Sequence, residues 1–334
     1  MDVLLEYQQM LGTVKTLVQC TNKKSVLVVL QHTKEQEIAP KFPVVRESVS
    51  NVISFVSLGD IRYIHNIVSA ARGVIDKIVV DTDIKRTNSS EIVQLIQKEA
   101  MAVGISVSLY SDYSSWAVSA VQYMLANSYD GGKILILGYN ALATRVMMEI
   151  IARQVHVYLL KSEYTDVQMP YDKVTRIQLS SPYIHIIDAV NVQDGFTTLI
   201  GCSLMEQNAN IALCENIAFK YIYDVGIHNF TKDFIQHQRT LGAKLYRSDD
   251  RAGLAGNIIN IMETDYMLQN MVGRVSLPTM QLVSGGYIGA EGDIVVDNVH
   301  NPKCILGVAA GDGTFKTTLS NEEQEHITKL QSLL

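Results

Sequence analysis

No two cysteines of this chain stand at a metal-binding or redox spacing. Cys20, Cys202, Cys214 and Cys304 are scattered, with no C-x-x-C among them. That excludes a disulfide framework or a thiolate zinc site and fits isolated thiols of a reducing compartment. A basic excess is also missing: 28 Lys and Arg face 34 Asp and Glu, a net charge of −6. Nucleic acid is therefore excluded as the principal partner, and the pair Lys23-Lys24 is too short to reverse that. No apolar run reaches membrane-spanning length. The first residues carry Asp2 and Glu6 and no cleavage site, so no signal peptide is expected. These absences together predict a cytoplasmic protein with no membrane partner. Internal repeats and low-complexity tracts are lacking too, which removes repeat architectures. The G-x-S-x-G elbow of hydrolases is incomplete around Ser203. Asp293, Asp297 and His300 lack a partnering Cys or second His, so no metal site is expected.

What the chain does have is core. Hydrophobic residues make up 47% and charged residues 19% of 334 positions, enough for two domains or one large α/β domain with an appendage. Lys24–Leu30, Asn51–Leu58, Lys77–Val80 and Ile105–Tyr110 are short strand-like runs. Helical spacing at 60–72 and a Ser89-Ser90 start with Glu91 at 89–101 lie between them. A helix at 114–127, capped by Ser114 or Ser115, leads into the strand-turn-helix-strand unit Gly131–Tyr164. Further strands are expected at 175–179, 183–189, 198–203, 209–214, 220–225 and 243–246, with helices at 231–241 and 252–269. From Val272 the pattern changes to short apolar runs broken by glycine, read as a β-hairpin-rich appendage ending in a helix after Ser320. The expected division is an N-terminal α/β domain at 1–113, a doubly wound domain at 114–271 and the appendage at 272–334.

One missing glycine bears on function. The turn after strand 134–137 reads Gly138-Tyr139-Asn140-Ala141-Leu142-Ala143, where a dinucleotide-binding turn carries a second glycine at the place of Asn140. Strand, turn and helix nevertheless follow in the required order, and Ala141 opens the helix that would meet a pyrophosphate. Asparagine tolerates left-handed backbone, so the turn is expected to keep its shape, and the Asn140 amide is placed against the pyrophosphate. Lys161-Ser162 stand 23 residues after Gly138 (161 − 138), where the ribose is contacted. A lysine and a serine suit a 2′-phosphate, which predicts NADP, while Glu163 keeps NAD open. The opposing reading is that Asn140 is accepted because no pyrophosphate approaches.

Residues from about Asp112 to Glu263 resemble the cofactor half of the amino-acid-dehydrogenase-like families: shikimate dehydrogenases, methylenetetrahydrofolate dehydrogenases and pyrrolysine synthase. The resemblance is carried by Asp112-Tyr113-Ser114-Ser115 before a linker helix, by Tyr223–Ile227 and by Arg247–Gly256. It implies an N-terminal catalytic α/β domain, a connecting helix and a Rossmann domain across a cleft. Gly226 then lies near the nicotinamide, and the helix after Arg251 returns to the first domain. Asn140 departs from the pattern. So do the lack of the shikimate-dehydrogenase Lys/Asp motif and the appendage.

Ligands of open α/β sheets lie beyond the carboxyl ends of strands. That selects Asp81, Asp83 and Lys85 after strand 77–80, and Asp112 and Ser114 after strand 105–110. Lys85 is the expected proton-transfer group, with Asp83 and Asp112 beside it; Asp81 and Ser114 are expected to bind substrate. Arg251 is the expected anion anchor. Each of these residues also fits a solvated loop, and Asp249 and Asp250 fit helix caps. His185, within YIHII, reads as a core histidine. The expected function is an NAD(P)-dependent oxidoreductase of a small amino-acid-like or carboxylated biosynthetic metabolite, assembled as a homodimer. The alternatives are a scaffold protein with a degenerate Rossmann domain, or a non-redox lyase or cyclase retaining NAD(P).

Overall fold

Two runs of β-branched residues set the first sheet. β1 (Lys24–Gln31) and β3 (Asn51–Leu58) are buried along nearly their whole length, as strands of a parallel sheet covered on both faces must be. They pair in parallel from Lys24↔Asn51 to Gln31↔Leu58. In the computed structural model, residues 3–32, 36–127, 130–138, 140–160, 181–204 and 207–334 are described. With β2 (Arg46–Glu47), β4 (Lys77–Asp81) and β5 (Ser106–Tyr110) the strand order is β2-β3-β1-β4-β5, only β2 running antiparallel. Leu27, Val29, Val52, Val56, Ile78 and Val80 share one apolar cluster with three helices, α1 (Val3–Thr21), α2 (Ile64–Ala71) and α3 (Ser89–Val103). Alternate strand residues thus bury one face beneath all three.

The second sheet is wholly parallel. Its strands are β6 (Lys133–Leu137), β7 (Val157–Leu160), β8 (Ile184–Ile187), β9 (Phe196–Gly201), β10 (Tyr221–Asp224) and β11 (Lys244–Arg247). Their order is β11-β10-β9-β6-β7-β8. The chain winds outward from β6 in one direction and then, from β9, in the other. This is the six-stranded order of a Rossmann domain, with its switch point between β6 and β9. One face carries α4 (Asp112–Asn127) and α5 (Ala141–Ile151) over Ile134, Ile136, Val157 and Ile200. The other carries α6 (Lys232–Thr240), Phe219 and Phe230 over Leu135, Leu137, Leu199 and Ile222. The expected α/β class with a doubly wound sheet is therefore present.

The chain divides into two compact units, Met1–Asn257 and Ile258–Leu334. The first holds both parallel sheets, and the boundary falls inside α7 (Arg251–Asn270). The second holds β12 (Arg274–Ser276), β13 (Gln281–Ser284), β14 (Ile294–Val296) and β15 (Ile305–Val308), in that order, and α8 (Asn321–Gln331). Its outer pairs are antiparallel, but β13 and β14 pair in parallel, so the sheet is not built of hairpins alone. No helix among the described residues is long and apolar enough to cross a membrane.

Several local expectations need correction. Residues 209–214 form a 3₁₀ helix instead of a strand, because the Asn208 side chain accepts from the Asn210 N–H and starts a turn. α4 begins at Asp112, which puts Ser114 and Ser115 inside its first turn and not at its cap. His185 is partly exposed on edge strand β8 and stacks on Tyr158 and His156, so it is no core histidine. The strand expected at 175–179 lies outside the described residues.

Candidate functional site

The loop after β4 is drawn inward by the start of α4. Helix starts leave N–H groups without partners, and here two aspartates of another element supply them. Asp83 Oδ2 accepts from the Tyr113 N–H at 2.7 Å, and Asp81 Oδ1 accepts from the Asp112 N–H at 3.3 Å. Asp83 also accepts from the Ser111 hydroxyl at 2.8 Å and from Arg145 of α5 at 3.3 Å. Arg145 donates as well to Ser114. Asp83 and Ser114, expected in catalysis and substrate binding, are thus joined to each other through Arg145, an arginine the sequence reading did not single out.

Lys85 is the centre of the arrangement. Its side chain is 4% exposed, between Asp81 at 0% and Asp112 at 5%. Nζ donates to Asp112 Oδ2 at 2.6 Å and stands 2.8 Å from Asp81 Oδ2. Charge attraction is the larger part of the latter contact. The ammonium also sits 5.0 Å from the Tyr113 ring centroid. Burial pushes the Lys85 pKa down, but Asp112 and Asp81 outweigh it and the net shift is upward. Burial pushes the Asp81 carboxyl up to about 6, with Lys85 opposing and Asp112 reinforcing the rise. Tyr113 is pushed up to about 12, and Tyr110, whose hydroxyl is 3.5 Å from Asp112, is raised well above the usual phenol range, both chiefly by burial. Lys85 lies in the loop after β4, but its side chain is buried between two carboxylates and not solvated.

Lys85 and Asp112 line a cavity of about 350 Å³. Leu204, which follows β9 of the second sheet, lines it too, together with Tyr113 and Trp116 of α4. The cavity therefore spans the carboxyl ends of both sheets within the first unit. Gln31, at the end of β1, adds a feature that sequence pattern concealed. Its Nε2 donates to the Asp81 carbonyl at 2.9 Å, which fixes the amide orientation, and its buried Oε1 has no partner. Gln31 lines the same cavity, and that oxygen is an unused acceptor buried beside it. The available signal was one polar residue closing an otherwise apolar strand.

Arg251 lies elsewhere, on a second cavity of about 350 Å³ that shares Trp116 with the first. Its guanidinium is engaged by Asp249, whose carboxylate also accepts the Arg251 backbone N–H. Asp249 thus receives the first N–H of α7.

The Gly138 turn sits at the switch point. Gly138 has φ +115°, and a Cβ there would stand 2.8 Å from the Ser203 nitrogen. Glycine is required by both the backbone and its neighbour. Asn140 is extended, at φ −158° and ψ −177°, so it needs no left-handed tolerance. Its side-chain oxygen accepts from the Ala143 N–H at 2.9 Å, capping α5, and its Nδ2 donates to the Cys202 carbonyl at 2.7 Å. The amide expected to face a pyrophosphate is instead a brace across the switch point. Ala141 is the first residue of α5, and the Cβ position of Gly226 is filled by the Ser203 carbonyl, 1.9 Å away. Lys161 and Ser162 lie outside the described residues.

Asp293 and Asp297 are also in use locally: Asp293 pairs with Arg274, and Asp297 accepts from the Lys303 and Cys304 N–H groups.

No family model matches the chain, and no curated protein matches it. Solved structures do. The chain is similar to shikimate dehydrogenase 1 from Peptoclostridium difficile, 13% identical, over 67% of this chain and 85% of that one, with a TM-score of 0.32. It is similar also to a shikimate dehydrogenase in complex with NADP+, 10% identical, over 68% and 84%, with a TM-score of 0.33. The GsuK bound to ADP is 13% identical over 77% and 67%, with a TM-score of 0.32. The likeness is one of fold alone.

Proposed function

We propose that the chain is an NAD(P)-dependent oxidoreductase that reduces or oxidises a small carboxylated or amino-acid-like metabolite. The observation that carries this reading is the buried Lys85 ammonium, held by Asp81 and Asp112 on the wall of a cavity that also touches the switch side of the second sheet. An ammonium so countered stays protonated at neutral pH. It can donate a hydrogen bond, and then a proton, to a carbonyl oxygen that gains negative charge during reduction. The proton that leaves Lys85 is replaced from solvent, and Asp81, its carboxyl pushed up to about 6, is the neighbouring group suited to pass it on. Gln31 Oε1 would orient the substrate by accepting from a hydroxyl or amine.

A dinucleotide fits the remaining features. Gly138 and the first turn of α5 from Ala141 would hold its phosphates, and Gly226 abuts the same Ser203 backbone as Gly138. The bound nicotinamide would supply or accept the hydride. NADP over NAD rests on Lys161 and Ser162 as sequence positions, and a cytoplasmic homodimer belongs to the same reading. Titration with NADPH and NADH, followed by cofactor fluorescence, tests it. Micromolar NADPH binding with weaker NADH binding is expected. Lys85→Met should leave that affinity unchanged and lower kcat by about a hundredfold or more once a substrate is in hand.

One observation favours a second reading, a binding protein that keeps the fold without the cofactor. The Asn140 amide already serves the helix cap and the Cys202 carbonyl. If neither wild type nor Asn140→Gly binds either dinucleotide at millimolar concentration, that reading replaces the first.

A further inference from the structure

We propose that the cavity between Arg46, Arg247 and Arg251 is an oxyanion subsite, taking a phosphate or carboxylate group carried by the substrate. It lies beyond the carboxyl ends of β10 and β11 and adjoins the Lys85 cavity across Trp116. Its polar lining is unbalanced towards donors. Arg251 is paired with Asp249, and Arg46 stands 3.8 Å from Asp250. The Arg247 side chain has no hydrogen-bond or ion-pair partner among the described residues, so three guanidinium groups face two carboxylates. Two further polar groups, the Ser248 hydroxyl and the Trp116 indole N–H, are buried without partners. A buried donor with no acceptor is a standing cost in desolvation. A group offering several lone pairs and negative charge, and no donor, balances the third guanidinium and removes that cost at the Ser248 hydroxyl and the Trp116 N–H. Phosphate and carboxylate meet this requirement; an amine or a sugar hydroxyl does not.

The loop bordering the cavity is held in an unusual shape. Ile227, which lines it, has φ +67°, and His228 has φ +69°. Positive φ at a β-branched residue is a steric outlier and persists only where surroundings enforce it. Asp224 does so by accepting from the His228 N–H at 2.8 Å and from the Asn229 N–H at 3.3 Å. The Ile227 side chain is thereby fixed at the cavity wall. The subsite is separate from the place of a cofactor 2′-phosphate. β11 and β7 are four strand spacings apart in the sheet, roughly 19 Å at about 4.8 Å each.

Only the assignment of the oxyanion to the substrate rests on the proposed function, and the experiment keeps the two apart. The full-length protein is titrated calorimetrically with inorganic phosphate and with malonate, against chloride at matched ionic strength. The same preparations are titrated with NADPH. At least one oxyanion is expected to bind saturably at one site, and Arg247→Gln and Arg46→Gln should each weaken it at least tenfold. Lys244→Gln, exposed on the same strand, should leave it unchanged. Phosphate alone or malonate alone in that role identifies the group the subsite prefers. No oxyanion binding beyond chloride, or equal weakening in Lys244→Gln and Arg247→Gln, overturns the subsite. Oxyanion binding without NADPH binding keeps the subsite and removes the oxidoreductase reading.

Discussion

At the residue scale, Lys85 carries a conflict between burial and pairing. Removing one partner of a buried ionic group strands the other charges, which typically costs about 3–5 kcal/mol. Lys85→Met leaves Asp81 and Asp112 facing each other in a buried site. It should therefore lower stability by about that much at pH 8 and by less at pH 5, where protonation relieves the repulsion. Urea unfolding at the two pH values measures the difference, and an equal loss at both would rule out the assignment of charge. Asp81 itself makes a second prediction. Its carboxyl is pushed up to about 6 in the fold against 3.8 in an unfolded chain, so the folded state holds the proton more tightly. This contribution to stability is full below about 4 and is lost as pH rises through about 6. Asp81→Asn should flatten that part of the wild-type profile between pH 4.5 and 7.5. A wild-type profile that the substitution leaves unaltered would contradict the shift. The Lys85 contribution, by contrast, persists far above neutrality because its pKa is raised above 10.5.

At the element scale, two helix starts do the positioning. α5 begins on Asn140, and that residue both caps the helix and reaches the carbonyl of Cys202. Asn140→Ala removes both bonds and should destabilise the protein by about 1–2 kcal/mol, read from a thermal or urea midpoint. A neutral effect would mean that neither bond forms in solution. α4 begins on Asp112, and its first N–H groups are received by Asp81, the last residue of β4, and by Asp83 in the loop that follows. A helix start is thus the physical reason that Lys85, between those aspartates and Asp112 on the helix, is buried at all. The 209–214 segment shows the reverse case. An apolar run with strand composition turns into a 3₁₀ helix because a local Asn208 side-chain bond outcompetes pairing.

At the scale of the whole molecule, two parallel sheets in one compact unit place their carboxyl ends on shared cavities. Interior strands of such sheets are paired on both edges, whereas β2, β5, β8 and β11 are paired on one. Amide hydrogen exchange followed by mass spectrometry should accordingly be slowest in β1 and β6 and markedly faster in β8 and β11. Comparable exchange at the centre and edge of the second sheet would be inconsistent with the strand order.

The sequence by itself determined the alternation of strands and helices, the switch from Gly138 into α5, and the strand ends near which Asp81, Asp83, Lys85 and Asp112 lie. These follow from periodicity, β-branched runs and the rule that sites lie beyond strand ends, all of which are local or topological. Only the tertiary structure decided what those side chains do. Whether Asp83 caps a helix or meets a substrate depends on the start of α4, some thirty residues away, being laid against it. The same holds for Asn140, whose partner Cys202 is 62 residues on, and for Gln31, whose partner at Asp81 is 50 residues on. Hydrogen-bond partners and desolvation arise from contacts distant in the chain, and no local pattern encodes them. The spacing of residues could locate the cavity wall; burial and pairing made Lys85 a charged group within it.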